Sequence, residues 1–423
     1  MAQPSNSQQH LLKKVSIVRD CFTEKMEKPT LSVLMVTGAY FPEVSGAGLQ
    51  CRELVRQLHS SVRLTILTTT ADPTARMVDT QDGVPVHRVF IDPSNRWSKI
   101  VGAVRLTMAV FRNRHRFSIL HLHGFSQKSI LLSCFAVLRR WPIVIKMTSV
   151  GHDDPVSMKA RGGLAYRCYS RAALHVGVSS RMTVLYERAG LPLKRYRLIP
   201  NGVDLVRFRP SDGAERQTLR RKLKLPDTGH VVLFVGFFSA EKCPAHLFDA
   251  WSSLALSHPE IGPLVFVGAT HSQYYEVDPR IAENIKLRAS ELGLGARVVF
   301  VEHTSHIEQY YRAADIFVLP SRREGLPNAL LEAMASGVAC IASHLDGVTD
   351  DLIEDGVNGL LVSPGEVAEL KTALRVFVDY PERLSLLGRQ ARQTIESHFA
   401  IEQTAQEYLN VYRSLMERPA CVA

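Results

Sequence analysis

The sequence predicts an α/β protein of two doubly wound parallel sheets that face a cleft. Its 423 residues exceed what one hydrophobic core usually organises, which favours two domains. Short runs rich in Val, Ile and Leu alternate with helical segments, a pattern typical of parallel sheets covered on both faces. The alternation restarts at His230 after a turn-rich linker, residues 200–210, which predicts one such unit on each side of the linker.

The strand-like runs divide the chain into its predicted domains. The first unit has runs at residues 31–38, 63–69, 84–91, 119–123, 143–148, 174–178 and 197–199, and the second at 231–235, 264–267, 298–301, 315–319, 338–342 and 360–362. We predict a loose polar extension over residues 1–30, a first domain over 31–205 and a second over 206–399. Because ligands of such sheets lie beyond the carboxyl ends of the strands, the cleft is the expected active site.

Composition and cysteine usage indicate a globular protein of a reducing compartment. Hydrophobic residues make up 46% of the chain and charged residues 22%. The seven cysteines are scattered, odd in number and contain no C-x-x-C pair. The N-terminus lacks the apolar run of a signal peptide, and the longest apolar stretch, residues 130–138, is too short to span a bilayer. We therefore expect a cytoplasmic location.

Charge is distributed unevenly along the chain. Residues 1–200 hold 29 Lys and Arg against 12 Asp and Glu, whereas the remainder holds 22 against 29. Residues 96–116 mix cations with Trp, Phe and Leu and contain no acid. A helix of this composition suits an anionic membrane surface, which would place the protein peripherally on the inner membrane face. For the uneven charge, the alternatives are a phosphorylated acceptor, a nucleic acid, or charge that serves only solubility. For residues 96–116, the alternative is an ordinary helix that packs before the strand at residue 119. Nothing resembles a nucleic-acid-binding module.

The most informative stretch is residues 321–337, SRREGLPNALLEAMASG. Pro327 suits the first turn of a helix, and Gly337 suits the end of one, so a helix is predicted from Asn328. The carboxylates of Glu324 and Glu332 should then lie roughly 10 Å apart with free helical N–H groups between them. This arrangement predicts a ligand with hydroxyl groups at both ends and anionic charge in the middle, as in a nucleotide sugar.

The sequence EGLPNALLEAMASG at residues 324–337, with the strand-like VACIA at 338–342 and DGVNGLLV at 355–362, resembles the family 4 glycosyltransferases. These are retaining enzymes of the GT-B fold, in which Rossmann-like acceptor and donor domains face each other. The resemblance implies that a last helix, about residues 400–418, crosses back to the first domain. It implies that Glu332 binds ribose hydroxyls and Glu324 a hexose hydroxyl. It also implies that the sugar and phosphates face the backbone of Gly325, Leu326, Pro327 and Asn328.

A second implied donor element is the loop after the first strand of the second domain. Gly236 opens this loop, and Lys242 matches the family lysine that meets the donor diphosphate and stabilises it as it leaves. Phe237 stands where the family usually has an arginine. We expect either that Arg322 or Arg323 supplies the second charge, or that phosphate binding is weaker.

Two elements of the first domain are also implied by the resemblance. Gly46 and Gly48 match a glycine-rich loop before a helix at residues 49–58, where donor phosphate and acceptor approach closely. Many relatives carry a histidine after the fifth strand, near the reacting sugar carbon. Here Val150 is nearest that position and His152 follows two residues later, so either His152 acts there, or Thr148, Ser149 and backbone groups do. His123 is interpreted as a structural histidine.

The sequence contains no Asp-x-Asp and no His/Cys cluster with metal-ligand spacing. We therefore expect no metal and no cofactor, the nucleotide sugar being a co-substrate. The predicted function is a retaining, metal-independent transfer of a hexose from a nucleotide sugar to a glycan or lipid-linked acceptor, with Glu324, Lys242 and His152 as catalytic candidates. Two alternatives remain open: another nucleotide-sugar enzyme, such as an epimerase or sugar-phosphate synthase, and a degenerate nucleotide-sugar-binding scaffold.

Overall fold

A computed structural model describes residues 31–43, 45–92, 94–112, 116–271 and 277–417. The predicted extension over residues 1–30 lies outside the described residues. Two sheets organise the chain in succession, as the sequence predicts, and every strand pair but one is parallel.

The first sheet has eight strands in the order β3-β4-β2-β1-β5-β6-β7-β8. Its strands are β1 Ser32–Val36, β2 Arg63–Thr70, β3 Val78–Gln81, β4 Val84–Phe90, β5 Ile119–His123, β6 Ile143–Lys146, β7 Leu174–Gly177 and β8 Tyr196–Leu198. Strand β3 was not predicted. It is an antiparallel edge strand that pairs only with β4. Its sequence, VDTQ, has no apolar run because an edge strand buries little surface.

Among its described residues, this domain has six α-helices: α1 Gly46–Leu58, α2 Arg96–Arg112, α3 Gln127–Leu138, α4 Pro155–Arg161, α5 Gly163–Ser170 and α6 Ser180–Arg188. Helix α1 begins three residues before its predicted start. The hydroxyl of Ser45 accepts a hydrogen bond from the N–H of Gly48 over 3.1 Å and caps the helix. Gly46 and Gly48 therefore lie in the first helical turn, and the prediction that they form a preceding loop is wrong.

The second sheet has six strands in the order β11-β10-β9-β12-β13-β14. Its strands are β9 His230–Val235, β10 Ile261–Val267, β11 Val298–Val301, β12 Ile316–Leu319, β13 Ala339–Ser343 and β14 Leu360–Val362. Its helices are α7 Gly213–Lys222, α8 Pro244–Ala255, α9 Pro279–Glu291, α10 Ile307–Ala313, α11 Asn328–Ala335, α12 Val367–Asp379 and α13 Glu382–His398.

The last helix, α14 (Ile401–Glu417), packs against α1 of the first domain. Its buried face, which includes Tyr408 and Tyr412, joins one hydrophobic cluster with β1, β2 and α1. The hydroxyl of Tyr412 lies 2.7 Å from Nδ1 of His121 on β5. The described chain thus runs through the second domain and returns to the first with α14.

Beneath α14 lies a buried cluster of basic side chains that we define as His121, His123 and Lys146. The rings of His121 and His123 are 4.3 Å apart, and Lys146 is only 1% exposed. The Lys146 ammonium and both ring nitrogens of His123 have no hydrogen-bond partner among the described residues. Burial lowers the pKa of Lys146 to about 7 and that of His121 to about 3. The cluster is consequently most stable when it is uncharged.

We expect Lys146→Met to raise the thermal unfolding midpoint at pH 7. The pKa of Lys146 falls from 10.5 to about 7 on folding, so the unfolded chain binds more protons between these values. Wild-type stability should therefore gain a contribution as pH rises from about 7 towards 10.5. In thermal melts between pH 7 and pH 10.5, the unfolding midpoint of Lys146→Met should change less with pH than that of the wild type. Lys194→Met, at an exposed lysine, is the matched control, and equal slopes for all three proteins would contradict the prediction.

Candidate active site

Loops of the two domains meet at the carboxyl ends of β6 and β12. A Cβ at Gly325 would lie 2.1 Å from the carbonyl oxygen of Thr148, so these two backbones are in direct contact. The side-chain amide of Asn328 donates to the carbonyl oxygen of Gly46 over 3.1 Å. The segment of residues 323–328, which we call the donor loop, therefore closes against the first domain.

Lys242 and Glu324 form an ion pair, with 2.5 Å between Nζ and Oε1. Lys242 lies in the loop before α8, and Glu324 lies in the donor loop before α11. The Lys242 side chain is 28% exposed and that of Glu324 only 8%, so the cation is the more accessible member. The structure thus brings together two predicted catalytic candidates that are separated by 82 residues in the chain.

Helix α11 begins at Asn328, as predicted, and places Glu332 just over one turn inside it. The hydroxyl of Tyr311, on α10, donates to Oε2 of Glu332 over 2.9 Å. Burial raises the pKa of Glu332 to about 7, although this hydrogen bond opposes the rise. Glu332 therefore changes its charge near neutral pH.

His152 contacts the donor loop from the first domain. The Arg323 guanidinium lies 2.8 Å from Nε2 of His152. Because arginine can only donate, Nε2 is the acceptor in this contact. Arg323 also pairs with Glu241 over 2.7 Å. Of the two arginines considered for the second phosphate charge, Arg323 is thus already engaged across the cleft.

Two residues of the cleft escaped sequence reasoning. Buried Asp153 accepts hydrogen bonds from the N–H groups of Thr148 and Ser149, over 2.9 Å and 2.7 Å, and fixes the loop that carries His152. The side chain of Asn201, in the linker, donates to Oδ1 of Asn328 over 2.9 Å. Two adjacent acids in the sequence HDDP could have drawn attention to Asp153. Nothing local distinguishes Asn201 from other turn residues.

Of the predicted glycines, Gly48 is required by a close backbone approach, whereas a Cβ at Gly46 would lie 3.8 Å from the Asn328 side chain and one at Gly236 would meet only the Phe234 ring. A Cβ at Gly48 would lie 2.3 Å from the carbonyl oxygen of Ala39. Gly268, after β10, has φ +148° and would place a Cβ 2.0 Å from the carbonyl oxygen of Gly236. The backbones at the carboxyl edges of both sheets are therefore tightly packed where the predicted ligand loops begin. His123, at the end of β5, is 4% exposed and belongs to the buried cluster, but its two ring nitrogens lack the hydrogen-bond partners of a satisfied structural histidine among the described residues.

Within the described ranges, no group of three or more His, Cys, Asp or Glu side chains is placed to hold a metal ion. No helix in that part of the chain combines the length and apolar character needed to cross a bilayer.

Two sequence-family models match the chain, one over each domain. The family described as "Glycosyl transferase 4-like domain" matches residues 45–202, and "Glycosyl transferases group 1" matches residues 215–394. The chain belongs to the family 4 glycosyltransferases, which confirms the resemblance of the donor loop and α11.

Similar proteins include two bacterial enzymes. The D-inositol 3-phosphate glycosyltransferase of Acidothermus cellulolyticus is 31% identical over 240 residues, which cover 55% of this chain and 51% of that protein. The D-inositol 3-phosphate glycosyltransferase 1 of Catenulispora acidiphila is 26% identical over 399 residues, which cover 89% and 92%. The chain thus spans about half the length of the first of these relatives.

The fold is also that of solved structures. Anabaena Alr3699/HepE, crystallised in complex with UDP-glucose, superposes with a TM-score of 0.75 at 20% identity, over 91% of this chain and 100% of that one. At this identity the similarity establishes the architecture. The protein has the GT-B fold, as the sequence predicts.

Proposed function

We propose that the protein is a retaining, metal-independent glycosyltransferase that moves a hexose from a nucleotide sugar to an acceptor. The observation that carries the proposal is the Lys242–Glu324 ion pair at the start of α11, with Glu332 one turn further along the same helix. The site has a carboxylate at each end, with the Lys242 cation and free helical N–H groups between them. This arrangement matches a ligand that is anionic in the middle and hydroxylated at both ends.

The proposed roles follow from this order of groups. Glu332 accepts hydrogen bonds from the ribose hydroxyls, and Glu324 accepts one from a hexose hydroxyl. Lys242, the accessible member of its pair, turns to the diphosphate and stabilises the charge that develops as it leaves. Retention is proposed to follow attack on the face from which the diphosphate departs, with a phosphate oxygen taking the proton of the acceptor hydroxyl. Because His152 accepts from Arg323, its proposed part is to hold the cleft closed near the hexose.

The acceptor is proposed to be a glycan or a lipid-linked sugar. A second candidate, a small phosphorylated acceptor as in a sugar-phosphate synthase, is favoured by Lys128. The ammonium of this partly buried lysine lies 3.1 Å from Oγ1 of Thr69 and 3.4 Å from the carbonyl oxygen of Thr37, at the carboxyl edge of the first sheet. Mass analysis of products formed with each acceptor class separates the two. Donor hydrolysis without acceptor would exclude a degenerate scaffold.

The identity of the donor can be tested by thermal shift. We expect one nucleotide sugar of a panel to raise the unfolding midpoint of the full chain, because it binds only the native state. Transfer from the same donor should continue in excess chelator. If no nucleotide sugar raised the midpoint, the proposal that the donor is a nucleotide sugar would be wrong. If the chelator abolished transfer, the proposed metal independence would be wrong.

We expect donor binding to weaken as pH falls below 7, and Glu332→Gln to remove this dependence. Burial holds the pKa of Glu332 at about 7, and the proposed ribose contact needs the ionised carboxylate. The dissociation constant should then rise by up to about tenfold per pH unit below this pKa. At pH 8 the substitution should weaken binding by ~1–3 kcal/mol. Calorimetric titrations test both, with Glu308→Gln as a control at a nearby carboxylate. A wild-type profile in Glu332→Gln would exclude the ribose role.

We propose that the first domain also contacts an anionic membrane surface through α2, on the cytoplasmic side. The exposed residues Trp97, Val101, Val104, Met108 and Phe111 follow the spacing i, i+4, i+7, i+11, i+14 and form one stripe along the helix. Only Gly102, Leu106 and Val110 of this helix are buried. No acid occurs from residue 93 to residue 152, which include ten Lys and Arg. An apolar stripe in such a basic surface suits anionic headgroups.

Vesicle sedimentation should show binding to vesicles rich in phosphatidylglycerol, weaker binding at high salt and little to pure phosphatidylcholine. The triple variant Trp97→Ser, Val101→Ser, Met108→Ser should lose this binding. A matched control replaces three residues of comparable exposure on the linker and second domain, Val206→Ser, Leu256→Ser and Leu287→Ser. Equal losses in both triple variants would argue against a surface specific to α2.

A further inference from the structure

Two free thiols face each other on packed helices of the first domain. Cys134 lies on α3 and Cys168 on α5, and their Sγ atoms are 3.4 Å apart. A disulfide bond requires a sulfur–sulfur distance of about 2 Å. The two sulfurs thus need to approach by only about 1.4 Å, a distance that a small movement of α5 towards α3, together with rotation of the two side chains, can cover.

The two thiols differ in access to solvent. Cys134 is exposed, whereas Cys168 is 6% exposed. The other described cysteines, Cys51, Cys243 and Cys340, are all buried. Burial raises the pKa of Cys168 to about 11, and the contact with Cys134 adds to the rise. A reagent in solution therefore reaches Cys134 first, and Cys168 is placed to react with the product.

We propose that Cys134 and Cys168 are a redox modification site that closes into a reversible disulfide by exchange with a low-molecular-weight disulfide such as oxidised glutathione. The Cys134 thiolate attacks one glutathione sulfur, the glutathione S–S bond breaks, and one glutathione thiolate leaves with the electron pair. The Cys168 thiol then loses its proton and attacks the Cys134 sulfur, which releases the second glutathione. Two cysteine thiols are oxidised, and one glutathione disulfide is reduced to two thiols.

The site is linked to the cleft by a short series of hydrogen bonds. Tyr169, adjacent to Cys168, donates from its hydroxyl to the carbonyl oxygen of Asp153 over 3.1 Å. The Asp153 carboxylate holds the N–H of Thr148, whose carbonyl oxygen touches Gly325 of the donor loop. A disulfide that draws α5 towards α3 should displace Tyr169 and, through Asp153, the Thr148 backbone that contacts the donor loop. We therefore expect the disulfide to lower transfer activity. This last consequence rests on the proposed function, whereas formation of the bond does not.

The test uses the full chain with Cys21→Ser and Cys421→Ser, so that these two thiols take no part. After equilibration in glutathione buffers of increasing oxidation, free thiols are alkylated and peptides are mapped by mass. We expect a linked peptide pair containing Cys134 and Cys168, reversed by dithiothreitol, absent in Cys134→Ser and retained in Cys340→Ser. The proposal would be overturned if Cys134 carried glutathione while Cys168 remained a free thiol. It would also be overturned if both thiols were alkylated in every glutathione buffer.

Activity then separates this site from the proposed function. Oxidised protein should show a several-fold lower kcat/KM that dithiothreitol restores, and Cys134→Ser should not respond. Full oxidation with unchanged transfer would overturn the link to the cleft. A reduced protein that forms the disulfide on oxidation but transfers no sugar would count against the proposed function and leave the redox site standing.

Discussion

Replacing Gly325 by alanine should reduce kcat/KM by about 10²-fold, because displacement of catalytic groups by about 1 Å has effects of this size. A Cβ at this position would lie 2.1 Å from the carbonyl oxygen of Thr148 and 2.8 Å from its carbonyl carbon. Both obstacles are backbone atoms of the opposite domain, so the clash can be relieved only by moving the donor loop away from the first domain. The proposed closed cleft would then not form.

The control for this substitution is Gly213→Ala, at the start of α7, where nothing lies within 4 Å of an added Cβ. Steady-state kinetics measures the loss, and small-angle scattering measures the opening of the cleft. The thermal midpoint of Gly325→Ala should also fall, because one hydrophobic cluster runs through both domains and includes Leu326 of the donor loop. Wild-type kcat/KM in Gly325→Ala would mean that the contact with Thr148 has no part in catalysis.

Lys242→Ala should lower kcat by about 10²- to 10³-fold, with a smaller change in donor affinity. The ammonium is proposed to meet charge that develops on the leaving diphosphate, so its contribution should be larger in the transition state than in the bound ground state. The substitution also leaves the largely buried Glu324 carboxylate without its 2.5 Å partner. Single-turnover kinetics and donor titration separate the two effects.

Two further variants sharpen this prediction. Lys242→Arg keeps the charge but changes its geometry, and it should recover part of the lost turnover. Lys222→Ala, at an exposed lysine of α7, should behave as wild type. If Lys242→Ala weakened donor binding as much as it lowered kcat/KM while kcat stayed unchanged, the lysine would contribute to binding alone.

Elements with clear local signals could be predicted from the sequence. Strands β11 and β14 and the start of α11 match their predicted residues, because each is bounded by turn residues or by proline. The family could also be recognised from the sequence, because its most distinctive residues lie in one continuous segment, residues 324–337. Strand β3 was missed because a polar edge strand lacks an apolar pattern, and the start of α1 because glycines usually interrupt helices.

The contacts that complete the site could not be predicted in this way. Arg323 meets His152 across 171 positions of sequence, and Asn201 meets Asn328 across 127. Neither pairing follows from residue type or spacing, because each depends on how the two domains are placed. The exposed stripe of α2 is similar: the sequence shows its cations and apolar residues, and only packing decides which of them remain exposed.

The sequence by itself determined the two-sheet architecture, the glycosyltransferase family and the residue types that line the cleft, because apolar periodicity and turn residues act over a few positions. The tertiary structure decided which partner each charged group has and how strongly it is buried. Glu332 and Lys146 have pKa values near 7 only in the folded chain. Desolvation and ion pairing depend on groups that are distant in sequence and adjacent in space.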